Sequence, residues 1–264
     1  MKKYLVIGNP IEHSLSPKLH NFWFEKKNIK AVYEKKLLNE NEIENIILEV
    51  KNNKINGINV TVPFKKSVIP FLDELTPVAN EVQSVNTIYK EKDKVIGHNT
   101  DVGGFELSLH KINYEVKNKN VFILGAGGVT SSIILALKKM KASKIILSNR
   151  TKKKAENLKE IFPDLEIINW GEVPDFNMII NSTSLGLNKS DEIKLDYSAI
   201  GPDKLFYDVI YNPPKTNFLL KAEQLGNKTA NGKMMFIYQA QLAFTVWHKT
   251  IVDINNETID LLNL

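Results

Sequence analysis

The sequence predicts an α/β fold, and three observations support this prediction. First, residues 121–124 form a short apolar run of the kind found in strands that are buried on both faces. Second, a glycine-rich turn follows at once and leads into a helical pattern over residues 129–140. Third, another apolar run at residues 144–147 indicates a returning parallel strand. We therefore expect strands and helices to alternate along the chain.

The composition is that of a globular protein. The 264 residues are 43% hydrophobic, which is enough for one large domain or two ordinary ones. The sequence contains no cysteine, which excludes a disulfide framework and a thiolate nucleophile, and it contains no apolar stretch long enough to span a membrane. We expect a cytoplasmic protein, because the residues after Met1 lack the pattern of a signal peptide.

The net charge of +5 could indicate a nucleic-acid partner. However, the 35 basic residues are mixed with 30 acidic ones, and the sequence has no basic run interleaved with aromatic residues that could stack on bases. We therefore expect no nucleic-acid partner. The excess charge is interpreted as surface charge that attracts anionic small molecules.

The glycine-rich turn contains Gly125, Gly127 and Gly128, with Ala126 between the first two. Glycines at this place allow a tight turn and a close approach of the backbone to a pyrophosphate, which the next helix attracts with its N-terminal amides. Thr130 replaces the last glycine of the usual motif, but the whole unit has the expected length of ~30 residues. The turn predicts a dinucleotide site; the alternative is a structural turn that binds nothing.

The residues that follow the predicted strand at 144–147 distinguish an NADP site from an NAD site. An NAD site usually has a carboxylate there, which accepts a hydrogen bond from the ribose 2′-hydroxyl. Residues 148–154 read SNRTKKK and contain no acid. We expect Arg150 and Lys154 to bind a 2′-phosphate and to favour NADP by roughly ten- to hundred-fold. The alternative is a solvated helix start, which we accept for Lys153.

Two serines follow the first predicted strand, at residues 4–7. Ser16 precedes Pro17 and could simply cap the next helix, whereas Ser14 and Ser16 together could hold a polyol or a carboxylate. Residues 31–37 predict the second strand. The helix after residues 39–42 is expected to bury an apolar stripe formed by Ile43, Ile46, Ile47 and Val50.

Residues 57–63 alternate in polarity with a period of two. The pattern predicts a strand with one apolar face, formed by Ile58, Val60 and Val62. Asn59 and Thr61 lie on the other face, and Lys65 follows directly. We expect these three polar side chains near one carboxyl edge of the sheet, where open α/β sheets bind ligands.

Asp101 follows a predicted hairpin with strands at residues 84–89 and 94–97. It could be only a helix cap. If it shares a cleft with Lys65, the ammonium and the carboxylate can fix each other's ionisation and move a proton to or from a substrate oxygen. The residues alone leave both interpretations open.

The rest of the chain predicts three more strands, at residues 165–168, 177–180 and 205–210. The polar loop at residues 181–186, which includes Thr183, suits hydrogen bonding to a dinucleotide, although it could be a plain turn. A long helix is predicted after Gly232, with Gln239 at the border of a cleft.

Several motifs occur in one order along the chain: SLSP at residues 14–17, NVTVPFK at 59–65, NTD at 99–101, GAGG at 125–128, NRT at 149–151 and DVIYNP at 208–213. Together they resemble the shikimate dehydrogenase family over essentially the whole length. The resemblance implies reversible reduction of the 3-keto group of 3-dehydroshikimate to shikimate by NADPH, in aromatic amino acid biosynthesis.

The resemblance also implies the architecture and the roles of the site residues. It implies two α/β domains with an interdomain cleft: a substrate-binding domain of residues 1–101, completed by residues 237–264, and a Rossmann-like NADP-binding domain of residues 102–236. Lys65 and Asp101 would be the catalytic pair. The substrate would be held by Ser14, Ser16, Thr61, Asn86, Tyr211 and Gln239, together with Asn59 from the strand pattern. NADP would be bound by Gly125, Ala126, Gly127, Gly128, Asn149, Arg150, Thr151, Lys154, Thr183, Ile210 and Gly232. No metal is implied.

One position departs from the family. Met234 stands where the family commonly has a second glycine, two residues after Gly232, in a loop close to the nicotinamide. This puts the shape of the loop and the affinity for the cofactor in question. It does not affect Lys65 or Asp101.

Two other functions share these motifs. A relative that also oxidises quinate would show all of them, and a non-catalytic NADP-binding regulator would bind the cofactor without turnover. The full set of polar residues argues against the regulator. We expect a small-molecule substrate, no nucleic-acid or membrane partner, and a monomer or a homodimer.

Overall fold

The computed structural model describes residues 1–263 and shows an α/β protein. Contacts within the chain divide it into two compact units. The first unit comprises Met1–Gly104 and Ile237–Leu264, and the second comprises Phe105–Phe236. The second unit is therefore an insertion between the two segments of the first.

The sheet of the first unit is mixed. Its strands are β1 (Lys2–Gly8), β2 (Ala31–Leu37), β3 (Gly57–Val60), β4 (Glu74–Leu75), β5 (Thr87–Glu91) and β6 (Lys94–His98). The strand order is β2-β1-β3-β5-β6-β4; β1 runs parallel to β2 and β3, whereas β5 is antiparallel to β3 and β6. The carboxyl ends of β1 and β3 thus lie side by side, and the loops that follow them contain Ser14 and Lys65.

The sheet of the second unit is parallel throughout. Its strands are β7 (Asn120–Leu124), β8 (Lys144–Ser148), β9 (Glu166–Ile168), β10 (Met178–Asn181), β11 (Leu205–Asp208) and β12 (Lys228–Asn231). The order is β12-β11-β10-β7-β8-β9. The direction of chain progression reverses between β7 and β10. This is the order of a doubly wound dinucleotide-binding fold, whose ligand crevice lies at the reversal.

Helices complete both units. They are α1 (Ser16–Lys26), α2 (Ile43–Lys51), α3 (Pro77–Val82), α4 (Asp101–Lys111), α5 (Thr130–Lys139), α6 (Lys152–Ile161), α7 (Asn217–Gln224), α8 (Lys233–His248) and α9 (Asn256–Asp260). Both breaks between the units fall inside helices, namely α4 and α8. In residues 1–263, no helix has the length and apolar character needed to cross a membrane.

The local sequence explains why α2 forms where it does. Asn39 and Glu42 form a capping box ahead of it, in which each side chain accepts a hydrogen bond from the other residue's backbone. The predicted apolar stripe of Ile43, Ile46, Ile47 and Val50 is buried, and it joins the main core of the first unit. The second strand and the hairpin of β5 and β6 are also confirmed.

Two predictions about the first unit are wrong. The third strand ends at Val60, and Val62 is 55% exposed, because the chain enters a turn in which the backbone nitrogen of Phe64 donates to the carbonyl oxygen of Thr61. Ser16 does not cap α1. It is the first helical residue, and the cap position is occupied by Leu15, which makes no side-chain capping bond within the described residues.

An aromatic cluster fills the other side of the first sheet. His20 is completely buried in it and stacks on Tyr33, with ring centroids 4.4 Å apart and ring planes 2° from parallel. Phe24 and Phe244 belong to the same cluster. Burial lowers the pKa of His20 to about 3, because within residues 1–263 neither ring nitrogen has a hydrogen-bond partner to stabilise a charge.

Candidate active site

Lys65 lies in the turn that follows β3. Its carbonyl oxygen accepts a hydrogen bond from the backbone nitrogen of Val85 at 2.8 Å, which ties the turn to the residues that precede β5. Only 9% of the residue is exposed. A lysine ammonium in such a place needs a partner for its charge.

Asp101 provides that partner. Its Oδ2 atom lies 2.6 Å from Nζ of Lys65, and the residue is 5% exposed. Asp101 is the first residue of α4, but the side chain that receives the helix amide is that of Asn99, whose Oδ1 accepts from the nitrogen of Val102 at 3.2 Å. The carboxylate of Asp101 is therefore used for the ion pair.

Asn86 holds the other oxygen of this carboxylate. Its Nδ2 donates to Oδ1 of Asp101 at 2.9 Å and lies 3.4 Å from Oε1 of Gln239. Its Oδ1 accepts from the backbone nitrogen of Thr100 at 2.8 Å, which shows that this atom is the amide oxygen. The structure thus brings together four residues that the sequence predicts for the site: Lys65, Asp101, Asn86 and Gln239.

Ser14 and Thr61 lie in the adjacent loops after β1 and β3, and Ser16 begins the helix that follows the first of these loops. The Oγ atom of Ser14 accepts a hydrogen bond from the nitrogen of Ser16 at 3.3 Å. The nitrogen of Thr61 donates to the carbonyl oxygen of Ile7 at 2.9 Å. The Thr61 methyl packs so closely on Gly8 that a Cβ there would lie 2.5 Å from it. A larger residue at position 8 would displace Thr61.

Asn59 is 6% exposed, and its amide is engaged within the protein. Its Nδ2 donates to the carbonyl oxygen of Asn86 at 3.0 Å and to Oγ1 of Thr87 at 3.2 Å. Its Oδ1 accepts from the hydroxyl of Tyr33 at 2.7 Å. Tyr33 and Thr87 cannot be recognised as site residues from the sequence, since a tyrosine and a threonine in strand patterns give no signal of a role beyond packing.

The hydroxyl of Tyr33 also contacts the substrate-binding candidates. Burial raises the pKa of Tyr33 well above its usual range, and a side-chain hydrogen bond with Ser16 partly offsets that rise. Ser16 makes this contact from the first residue of α1. The buried tyrosine therefore joins Ser16 to Asn59.

In the second unit, the glycine turn follows β7 at the reversal of the sheet. Gly125 has a φ of +100°, and a Cβ at this position would lie 2.6 Å from Cγ2 of Thr183. A Cβ at Gly127 would lie 3.2 Å from the carbonyl oxygen of Ser182. Both glycines allow the turn after β7 to lie against the turn after β10.

Thr130 compensates for the missing third glycine. It is the first residue of α5 and is completely buried. Its hydroxyl lies 3.1 Å from the carbonyl oxygen of Gly125 and 2.7 Å from the hydroxyl of Ser182. The threonine thus links the two turns by hydrogen bonds, a role that the motif pattern alone did not indicate.

The loop after β8 places the predicted phosphate-binding residues at the surface. Oδ1 of Asn149 accepts from the nitrogen of Ala126 at 3.0 Å, and its Nδ2 donates to the carbonyl oxygen of Thr151 at 2.7 Å. Arg150, Thr151 and Lys154 are exposed. The ion pairs found in residues 1–263 do not include Arg150 or Lys154. Their charges are therefore available to a phosphate.

A buried polar network supports the turns after β10 and β11. Oδ1 of Asn181 accepts from the hydroxyl of Thr183 at 2.7 Å, and its Nδ2 donates to Oδ1 of Asp208 at 3.0 Å. Asp208 also accepts from the nitrogen of Ile210 and from the hydroxyl of Thr216. Burial raises the pKa of Asp208 to about 6, although these hydrogen bonds act in the opposite direction. Thr183 and Ile210 are thus held by one pair of buried side chains.

Gly232 and Met234 differ in what their positions require. A Cβ at Gly232 would lie 2.0 Å from the carbonyl oxygen of Val209, so the position admits only glycine. Met234 is the second residue of α8, and it is not among the residues with a left-handed φ. The helix therefore accepts a side chain at position 234. Tyr211 stacks on Phe236 with ring centroids 4.8 Å apart.

These features of the second unit fit a dinucleotide with a 2′-phosphate. The glycine turn is so close to the neighbouring turn that a Cβ at Gly125 would clash with Thr183. It lies where the strand order of the parallel sheet reverses. The strand that would carry an NAD-selecting acid is followed by Asn149 and Arg150 instead.

Comparison with known proteins identifies the family. Residues 6–88 match the family model for the shikimate dehydrogenase substrate binding domain, and residues 106–185 match the model for shikimate / quinate 5-dehydrogenase. The shikimate dehydrogenase (NADP(+)) of Pelagibacter ubique is 61% identical over 263 residues, which cover 100% of this chain and 99% of the relative. The chain belongs to the shikimate dehydrogenase family.

Solved structures of shikimate dehydrogenases share the fold. The crystal structure of the Aquifex aeolicus enzyme is 38% identical and superposes with a TM-score of 0.91, covering 98% of this chain and 96% of the other. The Thermus thermophilus enzyme, solved in complex with NADP(H) and shikimate, is 28% identical and has a TM-score of 0.89, covering 98% and 97%. The resemblance read from the motifs and the α/β fold class are both confirmed.

Proposed function

We propose that the chain catalyses the reversible NADPH-dependent reduction of 3-dehydroshikimate to shikimate, a step in aromatic amino acid biosynthesis. The observation that supports this most directly is the buried pair of Lys65 and Asp101, 2.6 Å apart, in a chain of the shikimate dehydrogenase family. A buried lysine with a fixed carboxylate partner is suited to proton transfer at a single substrate oxygen.

NADPH, when bound, supplies the hydride. The residues that would hold it are in the second unit. The turn of Gly125, Gly127 and Gly128 lies at the sheet reversal, where a pyrophosphate is expected, and Arg150 with Lys154 binds the 2′-phosphate. The network of Asn181 and Asp208 keeps Thr183 and Ile210 in place beside them.

Lys65 moves the proton. During reduction, its Nζ donates a proton to the substrate oxygen as the carbonyl becomes a hydroxyl, and during oxidation the same atom accepts it. Asp101 holds Nζ and stabilises the ammonium, and Asn86 fixes the carboxylate of Asp101. General acid–base catalysis of this kind contributes ~10²–10⁴-fold to the rate.

The remaining polar residues bind the substrate. Ser14, Ser16 and Thr61 offer hydroxyls at the ends of β1 and β3, and Asn86 with Gln239 offers amides next to the ion pair. The family resemblance implies a substrate-binding role for Tyr211 as well. Hydroxyl and amide groups of this kind suit the carboxylate and the hydroxyls of shikimate.

The test is an absorbance assay for NADPH with purified protein, shikimate and NADP, repeated with quinate and with NAD. We expect the highest kcat/KM for shikimate with NADP. A comparable kcat/KM for quinate would favour the broader enzyme. Cofactor binding without any change in absorbance would favour the regulator, and failure with both nucleotides and both substrates would contradict the proposal.

We further propose a cytoplasmic enzyme that acts as a monomer or a homodimer on small molecules and binds no nucleic acid. Size-exclusion chromatography with light scattering would measure its mass. Binding of a labelled DNA or RNA that weakens with added salt would contradict the last expectation.

A further inference from the structure

A continuous series of side-chain hydrogen bonds leads from Tyr33 to the proposed catalytic pair. The hydroxyl of Tyr33 lies 2.7 Å from Oδ1 of Asn59, and Nδ2 of Asn59 lies 3.2 Å from Oγ1 of Thr87. Oγ1 of Thr87 lies 3.0 Å from Oδ1 of Asn86, and Nδ2 of Asn86 lies 2.9 Å from Oδ1 of Asp101. Asp101 in turn contacts Lys65.

The donor and acceptor roles along this series are fixed. Nδ2 of Asn59 also donates to the carbonyl oxygen of Asn86, which can only accept, so the amide oxygen of Asn59 must face Tyr33. The hydroxyl of Tyr33 therefore donates. Oγ1 of Thr87 accepts from Asn59 and donates to Asn86, whose amide then donates to Asp101. Along the whole series, each hydrogen bond is therefore donated in the direction of the Asp101 carboxylate.

Contacts of its backbone and its ring hold Tyr33 in place. Its backbone nitrogen and oxygen bond to the amide of Asn21, each at 2.9 Å. Its ring stacks on His20, and the residue is 1% exposed. Thr87 and Asn86 are also buried, so water cannot replace a lost member of the series.

We infer that Tyr33, Asn59 and Thr87 are positioning residues for the reaction, which orient Asn86 and, through it, the carboxylate of Asp101. Asn59 thus acts through Asn86 rather than by presenting its own amide to the substrate. This inference rests on the proposed function, because the orientation of Asn86 and Asp101 matters only if they serve the substrate and Lys65.

Two substitutions remove one hydrogen bond each and preserve shape. Tyr33→Phe removes the first donor, and Thr87→Val removes the central hydroxyl. Because each leaves a buried polar partner unsatisfied, we expect kcat/KM for shikimate to fall by roughly 5- to 50-fold. The KM for NADP should not change, since the predicted cofactor residues lie in the second unit. Thr87→Ser keeps a hydroxyl and should recover most of the loss.

Tyr4→Phe is the matched control. Tyr4 is paired with Tyr33 in the register of β1 and β2 and is equally buried, and burial alone accounts for its raised pKa. We expect this variant to retain the kcat/KM of the unmodified protein. Melting temperatures measured for every variant separate loss of fold from loss of positioning.

The double variant Tyr33→Phe/Thr87→Val gives the decisive comparison. If the residues act in series, the double variant should lose about as much kcat/KM as the more impaired of the two single variants, because one missing hydrogen bond already interrupts the series. Losses that multiply, or single variants with lower melting temperature but unchanged kcat and KM, would overturn the inference. An unmodified protein that does not oxidise shikimate would instead contradict the proposed function. If Tyr33→Phe does not fold, the Thr87→Val and Thr87→Ser pair makes the same test.

Discussion

The two units both contain a six-stranded sheet, but they present their chemistry differently. In the first unit the centre of the proposed site consists of buried side chains, in which Asp101 bonds to both Lys65 and Asn86. In the second unit it consists of backbone at glycine turns and of exposed cations such as Arg150. A substrate that must exchange a proton needs ionisable groups shielded from water, whereas a dinucleotide phosphate needs amides and accessible positive charge.

Substitution within the buried pair of the first unit should have the largest effect on catalysis. We expect Lys65→Ala to lower kcat by ~10²–10⁴-fold, because the group that transfers the proton is lost. The melting temperature should fall as well, since the carboxylate of Asp101 is left buried without its partner. Steady-state kinetics and thermal unfolding measure both effects.

Lys66→Ala is the control for this substitution. Lys66 is exposed and directly follows Lys65. Its removal should leave kcat and KM within about two-fold of the unmodified protein, as expected for a solvated surface residue. Unchanged turnover in Lys65→Ala would remove that lysine from the mechanism.

The next effect tests the backbone site of the second unit. Gly125→Ala places a Cβ at a φ of +100° and 2.6 Å from Cγ2 of Thr183. Strain of this kind costs ~1–3 kcal/mol, so we expect the KM for NADP to rise by roughly ten-fold or more. Shikimate binding without cofactor, measured by calorimetry, should not change.

Gly201→Ala is the matched control, since a Cβ there would meet no atom within 4 Å. If Gly125→Ala and Gly201→Ala change the KM for NADP equally, the proposed difference between the two units is contradicted. It is also contradicted if Gly125→Ala weakens shikimate binding as much as it weakens NADP binding.

A third prediction concerns the exposed cations after β8 and the preference for NADP over NAD. We expect Arg150→Ala to reduce the preference for NADP over NAD by roughly ten-fold or more, because a charge-assisted bond to the 2′-phosphate is lost. The KM for NADP of the unmodified protein should also rise with salt, since exposed charges are screened. Ratios of kcat/KM for the two nucleotides measure the change, and Lys153→Ala should leave them unaltered.

The smallest effect concerns pH, and its sign should differ between the units. The pKa of His20 in the folded chain is about 3, below its unfolded value of ~6.5. The contribution of His20 to folding stability is therefore fully present above a pH of ~6.5 and is lost as the pH falls toward about 3. The pKa of Asp208 is about 6 and lies above its unfolded value of ~3.9, so stability is lost as the pH rises from about 4 to 6. Each group changes stability by at most ~1.4 kcal/mol per pH unit.

Hydrogen exchange of the strand amides at pH 4.5 and 6.5 can separate these contributions. We expect His20→Phe to weaken the acid sensitivity of β1 and β2, and Asp208→Asn to remove the opposite trend in β10 and β11. His13→Ala, at an exposed histidine, is the control for the first substitution. The same pH slope before and after both substitutions would contradict the expectation.

Local patterns were sufficient to predict most elements and the nature of the cofactor site. The apolar periodicity of α2, the strand β2 and the glycine turn depend on neighbours within a few residues, so they can be read directly from the sequence. The residue types of Lys65 and Asp101 suggested a proton-transferring pair as one of two interpretations, and the family resemblance implied that pair; the structure adds that their atoms are in contact.

Apart from the pair of Lys65 and Asp101, features that depend on distant contacts could not be predicted. The bond between Tyr33 and Asn59 joins residues 26 apart in sequence, and the bond between Thr130 and Ser182 joins residues 52 apart. The errors at Val62 and Ser16 have the same origin. A period of two cannot show where a strand turns away from the sheet, and a capping motif cannot show that the helix begins at the serine itself.

The insertion of the second unit also sets the order in which the molecule is completed during synthesis. Segment Ile237–Leu264 leaves the ribosome after the whole of the second unit, and it supplies Gln239 near Asn86 and Trp247, whose Nε1 donates to the carbonyl oxygen of Ile88 at 3.1 Å. Domains generally fold as units while the chain emerges. A nascent chain that has reached residue 236 therefore has a complete second unit and an incomplete first one. The unit that carries Lys65 is the first to be started and the last to be finished.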